Sequence, residues 1–191
     1  FVQQLEGARI TAVLDAIGYP SALRDIDTGL STLAAVTLAN VVAQTHLDDV
    51  ADAAGGLFWI DQDGVATYRN RLARYTRARS TVSQAPFGGP TGLPYRAPSY
   101  EYNAHHIYND VRITRTGGVE QVATDATSVT DYGKHTYSLT SAHLLSDTAA
   151  LSLATLLLYR HKDPVPRLSS ISVEGGGDAA LWAAIATLRI G

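Results

Sequence analysis

The stretch 103–133 constrains this chain more than any other. It runs from Asn109 and Asp110 through Val111, Arg112, Ile113, Thr114, Arg115 and Thr116 to Gly117-Gly118, then carries Asp125, Ser128, Asp131, Tyr132 and Gly133. Apolar and polar side chains alternate over 111–115, and successive residues of a strand face opposite sides, so the spacing predicts a strand. Gly117-Gly118 is then a tight turn and 120–124 a return strand. Residues 128–132 read as a helical turn that Gly133 closes in a left-handed conformation. This grammar predicts a β-barrel wall in an assembly, with no chemistry attached to it.

The rest of the chain gives regular elements at moderate intervals. Leu5, Ile10, Val13, Leu14 and Ile17 fall on one helical face, Gly18 stops that helix and Pro20 prevents its continuation. Residues 21–33 read as irregular or extended, with Asp27-Thr28-Gly29 as a turn. A second helix is expected from an N-cap at Asn40 to Ala54, facing Val42, Thr45, Val50 and Ala54 inward and ending at Gly55-Gly56. Strands at 57–60 and 65–69 flank the turn of Asp61, Asp63 and Gly64, whose Asp-Gly tolerates the positive φ of a tight hairpin. These elements predict a helix-helix-hairpin α+β unit over 1–72.

Residues 73–99 change character, because Pro86, Gly88, Gly89, Pro90, Gly92 and Pro94 leave little room for regular structure. A Pro/Gly-rich linker or loop is expected there. Beyond it, 100–191 reads as a β-rich, barrel-like domain with inserted helices. Its expected strands are 102–107, 111–115, 120–124 and 135–141, the last with His135, Tyr137 and Leu139 on one face. A helix capped by Ser146 follows, with Asp147 in its first turn and Arg160, His161 and Lys162 at its end. Leu144, Leu151, Ala154, Leu157 and Leu158 supply its apolar face, and Pro164 and Pro166 stop it. A strand over 168–174, a break at Gly175-Gly176-Gly177, a helix from Asp178 to Ile185 and a strand starting at 188–190 complete the reading. No tandem repeat occurs. Phe1 is not an initiator and no signal-peptide pattern follows it, so the chain reads as an internal segment of a longer protein whose C-terminal domain is incomplete.

Composition narrows the function. A net charge of −3 and a pI near 6.0 give no electrostatic footprint for nucleic acid. The basic run from Arg69 to Arg79 reads as a solvated strand end and linker. The absence of cysteine excludes disulfides and thiolate metal sites. Apolar stretches are too interrupted for a membrane span.

Candidate chemistry is sparse. His105 and His106 point to opposite faces if the segment is a strand, so they cannot chelate one ion. His135, His143 and His161 are distant in sequence and read as surface or core-edge imidazoles. Asp48 and Asp52 share a helix face and Asp49 lies beside them, which suits a metal, an acid–base pair or a hydrated surface. Asp61, Asp63 and Gly64 resemble the start of a calcium loop, but Leu72 stands where the closing Glu belongs. No nucleophile elbow exists, and Ser128 with Asp125 and Asp131 reads as a cap and turn set. The glycine pairs lack the spacing of a phosphate cradle. No catalytic, cofactor-binding or metal-ligating residue is therefore nominated. Tyrosine outnumbers the other aromatics, 10 against 3 Phe and 2 Trp, which suits surfaces half-buried against another subunit.

Taken together, Leu93-Pro94-Tyr95, the run from Tyr108 to Gly118, and Asp125 with Ser128, Asp131, Tyr132, Gly133 and Lys134 resemble the minor tail proteins of long-tailed actinobacterial phages. More broadly they are similar to the central hub proteins of phage tail tips and baseplates. The hairpin with Gly55, Gly56, Phe58, Asp63, Gly64, Tyr68 and Arg71 fits that pattern, as does the helix of Ala149, Leu151, Ala154 and Leu157. Lys134 stands where the pattern has Arg. The resemblance implies a non-enzymatic homotrimer in the virion tail tip, with two barrel-like domains per subunit contacting the tail tube, distal tail and other minor tail proteins. Two other readings remain: a cell-wall hydrolase of the same apparatus, with clustered His and Asp in a cleft, or a carbohydrate-binding module stacking sugars on Trp59, Tyr68 and Tyr75.

Overall fold

The computed structural model describes residues 1–89, 92–102, 104–141, 143–173, 176 and 178–188. In chain order its elements begin with β1 (Gln4–Leu5), α1 (Glu6–Ala16), β2 (Arg24–Ile26), β3 (Thr32–Leu33), α2 (Ala43–Ala54), β4 (Leu57–Ile60) and β5 (Ala66–Arg69). Two short helices, α3 (Ala73–Thr76) and α4 (Ala78–Thr81), precede β6 (Tyr95–Glu101). The remainder is β7 (Asp110–Arg115), β8 (Gln121–Thr124), α5 (Ala126–Tyr132), β9 (Thr136–Ser141), α6 (Asp147–His161), β10 (Arg167–Val173) and α7 (Ala179–Ala186). The fold is α+β. Its sheets have two or three strands each, and among the described residues none closes into a barrel.

The chain forms two compact units, 1–72 with 107–163 and 73–106 with 164–191. Residues 73–106 pack with 164–191, and 107–163 pack with 1–72. Residues 107–163 complete the core of the first unit: Val111, Ile113, Leu144, Ala150, Leu153 and Ala154 join Ile10, Leu14, Leu47 and Val50 in one buried cluster. The 1–72 segment alone would leave those apolar faces wet, at roughly 25 cal/mol per Å² of uncovered surface.

Within the first unit, α1 buries Ile10, Val13 and Leu14 and packs against α2. Gly7 sits where α1 meets the 27–28 turn so closely that a Cβ would lie 2.0 Å from the Asp27 carbonyl oxygen. The α2 helix starts at Ala43 with Val42 as its cap, whereas Asn40 takes a left-handed φ of 56° outside the helix. Its inward face is consequently His46, Leu47, Val50, Ala51, Ala53 and Ala54, while Val42 and Thr45 are exposed. Gly55, at φ 67°, ends the helix as a left-handed C-cap.

The expected hairpin is present. Leu57–Ile60 pairs antiparallel with Ala66–Arg69, and Asp61 Oδ1 accepts from the Asp63 and Val65 amides, both at 2.9 Å. A third strand, β2, joins it in parallel from the stretch expected to be irregular or extended. The second sheet has the order β8-β7-β9: β7 is central, antiparallel to β8 and parallel to β9. The α6 helix packs on β7 and β8 and is capped by Ser146, whose Oγ accepts from the Ala149 amide at 3.1 Å. It turns Ala150, Leu153 and Ala154 inward and leaves Leu151 exposed; Leu144 is buried ahead of the helix, bridged to Leu33.

In the second unit, half of the expected linker is regular. The α3 and α4 helices occupy its start, and β6 begins at Tyr95, ahead of the predicted 102–107 strand, where a 3-10 turn at Ala104–His106 stands instead. β6 contains Pro98, which has no N–H to give a ladder. It is tolerated because, among the described residues, β6 pairs only with β10 and no second strand asks for the missing N–H. Shifts in register around Ser170 leave Ala97 and Pro98 without a partner residue. Asp178 caps α7 by accepting from the Ala180 and Leu181 amides. The break at 175–177 lies mostly outside the described residues, as does the strand start expected over 188–190.

Candidate functional site

The motif residues of 109–134 converge on each other. Asn109 is fully buried; its Nδ2 donates to Ser128 Oγ at 3.1 Å and to the Gly133 carbonyl at 2.7 Å, and its Oδ1 accepts from the His135 amide at 2.7 Å. Ser128 Oγ in turn donates to the Lys162 carbonyl. Asp125 caps α5 through the Ser128 amide and pairs with Lys162 Nζ at 2.9 Å, and these contacts hold its carboxyl below the usual range. Every polar group of Asn109 is thereby used inside the fold.

Asp110 forms a second node. It is 2% exposed, yet its carboxylate receives Arg112 Nε at 2.9 Å, Thr124 Oγ1 at 2.9 Å, Thr136 Oγ1 at 3.0 Å and Lys134 Nζ at 3.1 Å. Burial alone would raise its pKa; the donors from Arg112, Thr124, Lys134 and Thr136 outweigh that and hold the carboxyl well below its ordinary value. The node ties β7, β8 and β9 together at one end. Its lone pairs are spent, so it is a structural joint.

The residues nominated for other chemistry scatter. Asp61 is engaged as a turn acceptor. His105 and His106 lie in the second unit, in the 3-10 turn. Tyr68 is fully buried, so the Trp59, Tyr68 and Tyr75 stacking platform does not exist as a surface, and Tyr75 belongs to the other unit. Among the described residues no three His, Asp or Glu side chains are grouped to hold a metal ion. No described helix is long and apolar enough to cross a membrane.

One grouping escaped sequence reasoning. His46 and His143, 97 positions apart by their numbers, meet edge to face with ring centroids 4.8 Å apart, and Phe1 stacks on His46 at 5.6 Å. Both imidazoles are buried, and neither His46 Nε2 nor His143 Nδ1 has a hydrogen-bond partner. Burial, His143 and the Arg9 guanidinium lower the pKa of His46 to about 4, against the pull of Asp49. Burial likewise lowers His143, with Asp49 opposing and Arg9 assisting. His46 could have been suspected as the one histidine on the inward stripe of α2, but its partner is set by tertiary structure alone.

His143 also lines a cleft of about 310 Å³ with Asp49, Asp52, Ala53, Thr116 and the β9 residues Leu139, Thr140 and Ser141. Desolvation, then Asp48 and Asp49, raise the pKa of Asp52. Among the groups sequence reasoning weighed, Asp49, Asp52 and His143 are brought to one cleft, whereas Asp48 is turned to Gln44, whose Nε2 donates to it at 2.8 Å.

No protein-family model matches the sequence, and no curated protein matches it significantly. The three-dimensional fold does have solved counterparts, among them two described as tail proteins. One is the 43 kDa tail protein of prophage MuSo2 from Shewanella oneidensis, with a TM-score of 0.51 at 15% identity, covering 84% of this chain and 45% of that protein. Another is a tail protein from Neisseria meningitidis MC58, with a TM-score of 0.53 at 12% identity, covering 81% of this chain and 46% of that one. The chain spans less than half the length of either.

Proposed function

We propose that this chain is a non-enzymatic structural component of a phage tail tip, a hub or baseplate minor tail protein that assembles as a homotrimer with the tail tube, the distal tail protein and other minor tail proteins. The observation that carries the reading is the fold shared with the two tail proteins. The second unit supports it physically. β6 and β10 form a two-stranded sheet whose Tyr95, Tyr100 and Leu168 are exposed, and α7, apolar from Ala179 to Ala186, buries no residue and leaves Trp182 53% exposed. A two-stranded sheet is marginal in water and an uncovered apolar helix is costly, so both gain by packing in an assembly. Barrel closure, in this reading, is completed between subunits, which removes the open edges.

Immunogold electron microscopy of phage particles with antibodies to this chain tests the placement, and mass measurement of the chain released from virions tests the trimer. Label at the tail tip with a trimeric mass is expected. Label on the capsid, or a monomer in virions, overturns the proposal. The cleft of Asp49, Asp52 and His143 has the composition the hydrolase reading asked for. Purified protein is expected to leave cell-wall suspensions turbid; clearing that Asp52→Asn abolishes would favour hydrolysis instead.

A further inference from the structure

We infer that the second unit of one copy docks on the first unit of another copy of this chain, an arginine-rich aromatic surface meeting an acidic one. The inference deepens the tail reading and rests on its self-association, because it names the surfaces that meet.

Charge selects the partner. The second unit, 73–106 with 164–191, carries six arginines and no lysine against three acidic residues, a net charge of +3. The first unit, 1–72 with 107–163, carries nine Lys and Arg against fifteen Asp and Glu, a net charge of −6. The whole-chain value of −3 conceals this division. Two second units facing each other would set arginine against arginine. A second unit on a neighbour's first unit brings opposite potentials together, which speeds encounter and suppresses the like-charged arrangement.

Exposure shows that the second unit needs a cover. Among the described residues its buried apolar side chains are Ala73 and Leu93, and none of its residues joins the hydrophobic core cluster. All of 95–100 in β6 is exposed, and α7 buries nothing. Tyr75, Phe87, Tyr95, Tyr100, Tyr102 and Trp182 are between 43% and 71% exposed. At about 150–250 Å² per aromatic residue, those fractions amount to roughly 500–800 Å². Each partner of a stable complex buries about 800 Å², so these rings supply most of one interface. Arginine suits the same surface, since its guanidinium pairs with carboxylates and stacks on rings.

Contact between two different surfaces, repeated by a rotation that closes, makes a ring in which every copy uses both. A trimer is such a ring. The acidic first unit and the uncovered second unit are then two halves of one repeated contact.

The test is sedimentation of the whole chain over a range of concentration, with labelled variants. Wild type is expected to form trimers, and its apparent dissociation constant is expected to rise at least about tenfold between about 50 and 500 mM salt. Arg74→Glu/Arg96→Glu, at two exposed positions, turns the second unit from +3 to −1 and is expected to sediment alone as a monomer. Its first unit is untouched, so unlabelled wild type is expected to capture the labelled variant. Tyr100→Ser/Tyr102→Ser, at residues 71% and 66% exposed, is expected to weaken association at least about tenfold. Amide spectra verify the fold of each variant, and the salt series needs no variant. A monomer at every concentration, or association indifferent to salt and to charge reversal, overturns the pairing. So does a charge-reversed variant that wild type fails to capture, because second units would then meet each other. A dimer with the expected salt response and capture supports the pairing and overturns the trimer of the tail reading. Immunogold label decides the tail placement independently of all these outcomes.

Discussion

Acidification is expected to destabilise the first unit through His46, and the size of the effect can be worked from its surroundings. The imidazole is 2% exposed, is crowded by His143 and Arg9, and has a pKa lowered from 6.5 to about 4. The native state therefore holds it neutral, while an unfolded chain takes up the proton once the pH drops below 6.5. Stability from this residue is complete above 6.5 and is lost progressively as the pH falls through the window down to about 4. At about 1.4 kcal/mol per pH unit, the loss across that window is about 3 kcal/mol. That is a large share of the roughly 5–15 kcal/mol that holds a domain of ordinary stability.

Other groups titrate with different signs or in different windows. His143, also lowered by burial, adds to the loss in acid. Asp52 opposes it: its native pKa is raised, so the folded state takes up a proton more readily than the unfolded chain. Asp110 and Asp125 have lowered values, and their contributions fade only below the ordinary 3.8 of an aspartate. Urea unfolding of the wild type and of His46→Phe at closely spaced pH values isolates the histidine. The phenyl ring keeps the stack on Phe1 and removes the unpartnered Nε2, so the variant is expected to be no less stable near neutrality. In acid its midpoint is expected to fall far less than that of the wild type. Parallel profiles across the window would refute the reasoning, since they would mean that His46 is not held neutral by the fold.

Two further substitutions probe the joints of the first unit. Asp110→Ala removes the acceptor shared by Arg112, Thr124, Thr136 and Lys134 and is expected to cost about 2–4 kcal/mol in thermal or urea unfolding; a loss below about 1 kcal/mol would show that the exposed cations resolvate freely. Gly7→Ala gains about 1 kcal/mol of helix propensity, yet its Cβ would sit 2.0 Å from the Asp27 carbonyl oxygen. The clash is expected to win, lowering the melting temperature, and a rise would mean that the 27–28 turn yields without strain.

What was legible in the sequence follows the range of the forces involved. The hairpin of β4 and β5, the Ser146 and Asp178 caps and the α5 turn are set by residues within a few positions of one another, and local patterns predict them. The parallel pairings of β2 with β5 and of β9 with β7 join strands far apart in the chain, and no local signal announces them. The same holds for the shared core, because burial of Val111 against Ile10 depends on which sheet covers which helix. β6 was misplaced because the Pro and Gly of 86–94 gave the whole 73–99 stretch a linker's character, while its partner β10 lies 70 residues away. His46 and His143 were hidden twice over, since neither lies in a motif and their contact spans the whole first unit.

The motif that first constrained the fold turns out to speak about folding more than about function. Asn109, Asp110, Asp125, Ser128 and Gly133 spend their polar atoms on one another and on neighbouring backbone, which fixes how β7, β8, β9 and α5 meet. A residue whose hydrogen bonds are all internal has nothing left to offer a partner, so such a motif can identify an architecture and remain silent about what binds it. The groups with exposed or unpaired capacity lie elsewhere: the exposed rings of Tyr95, Tyr100 and Trp182 in the second unit, and the cleft of Asp49 and Asp52 in the first. None of these belongs to a recognisable spacing, because a surface that meets another chain is specified by complementarity to that chain and not by periodicity within its own. The informative positions for function are therefore the ones with incomplete local accounts, and under the proposed tail reading an assembly partner would complete them.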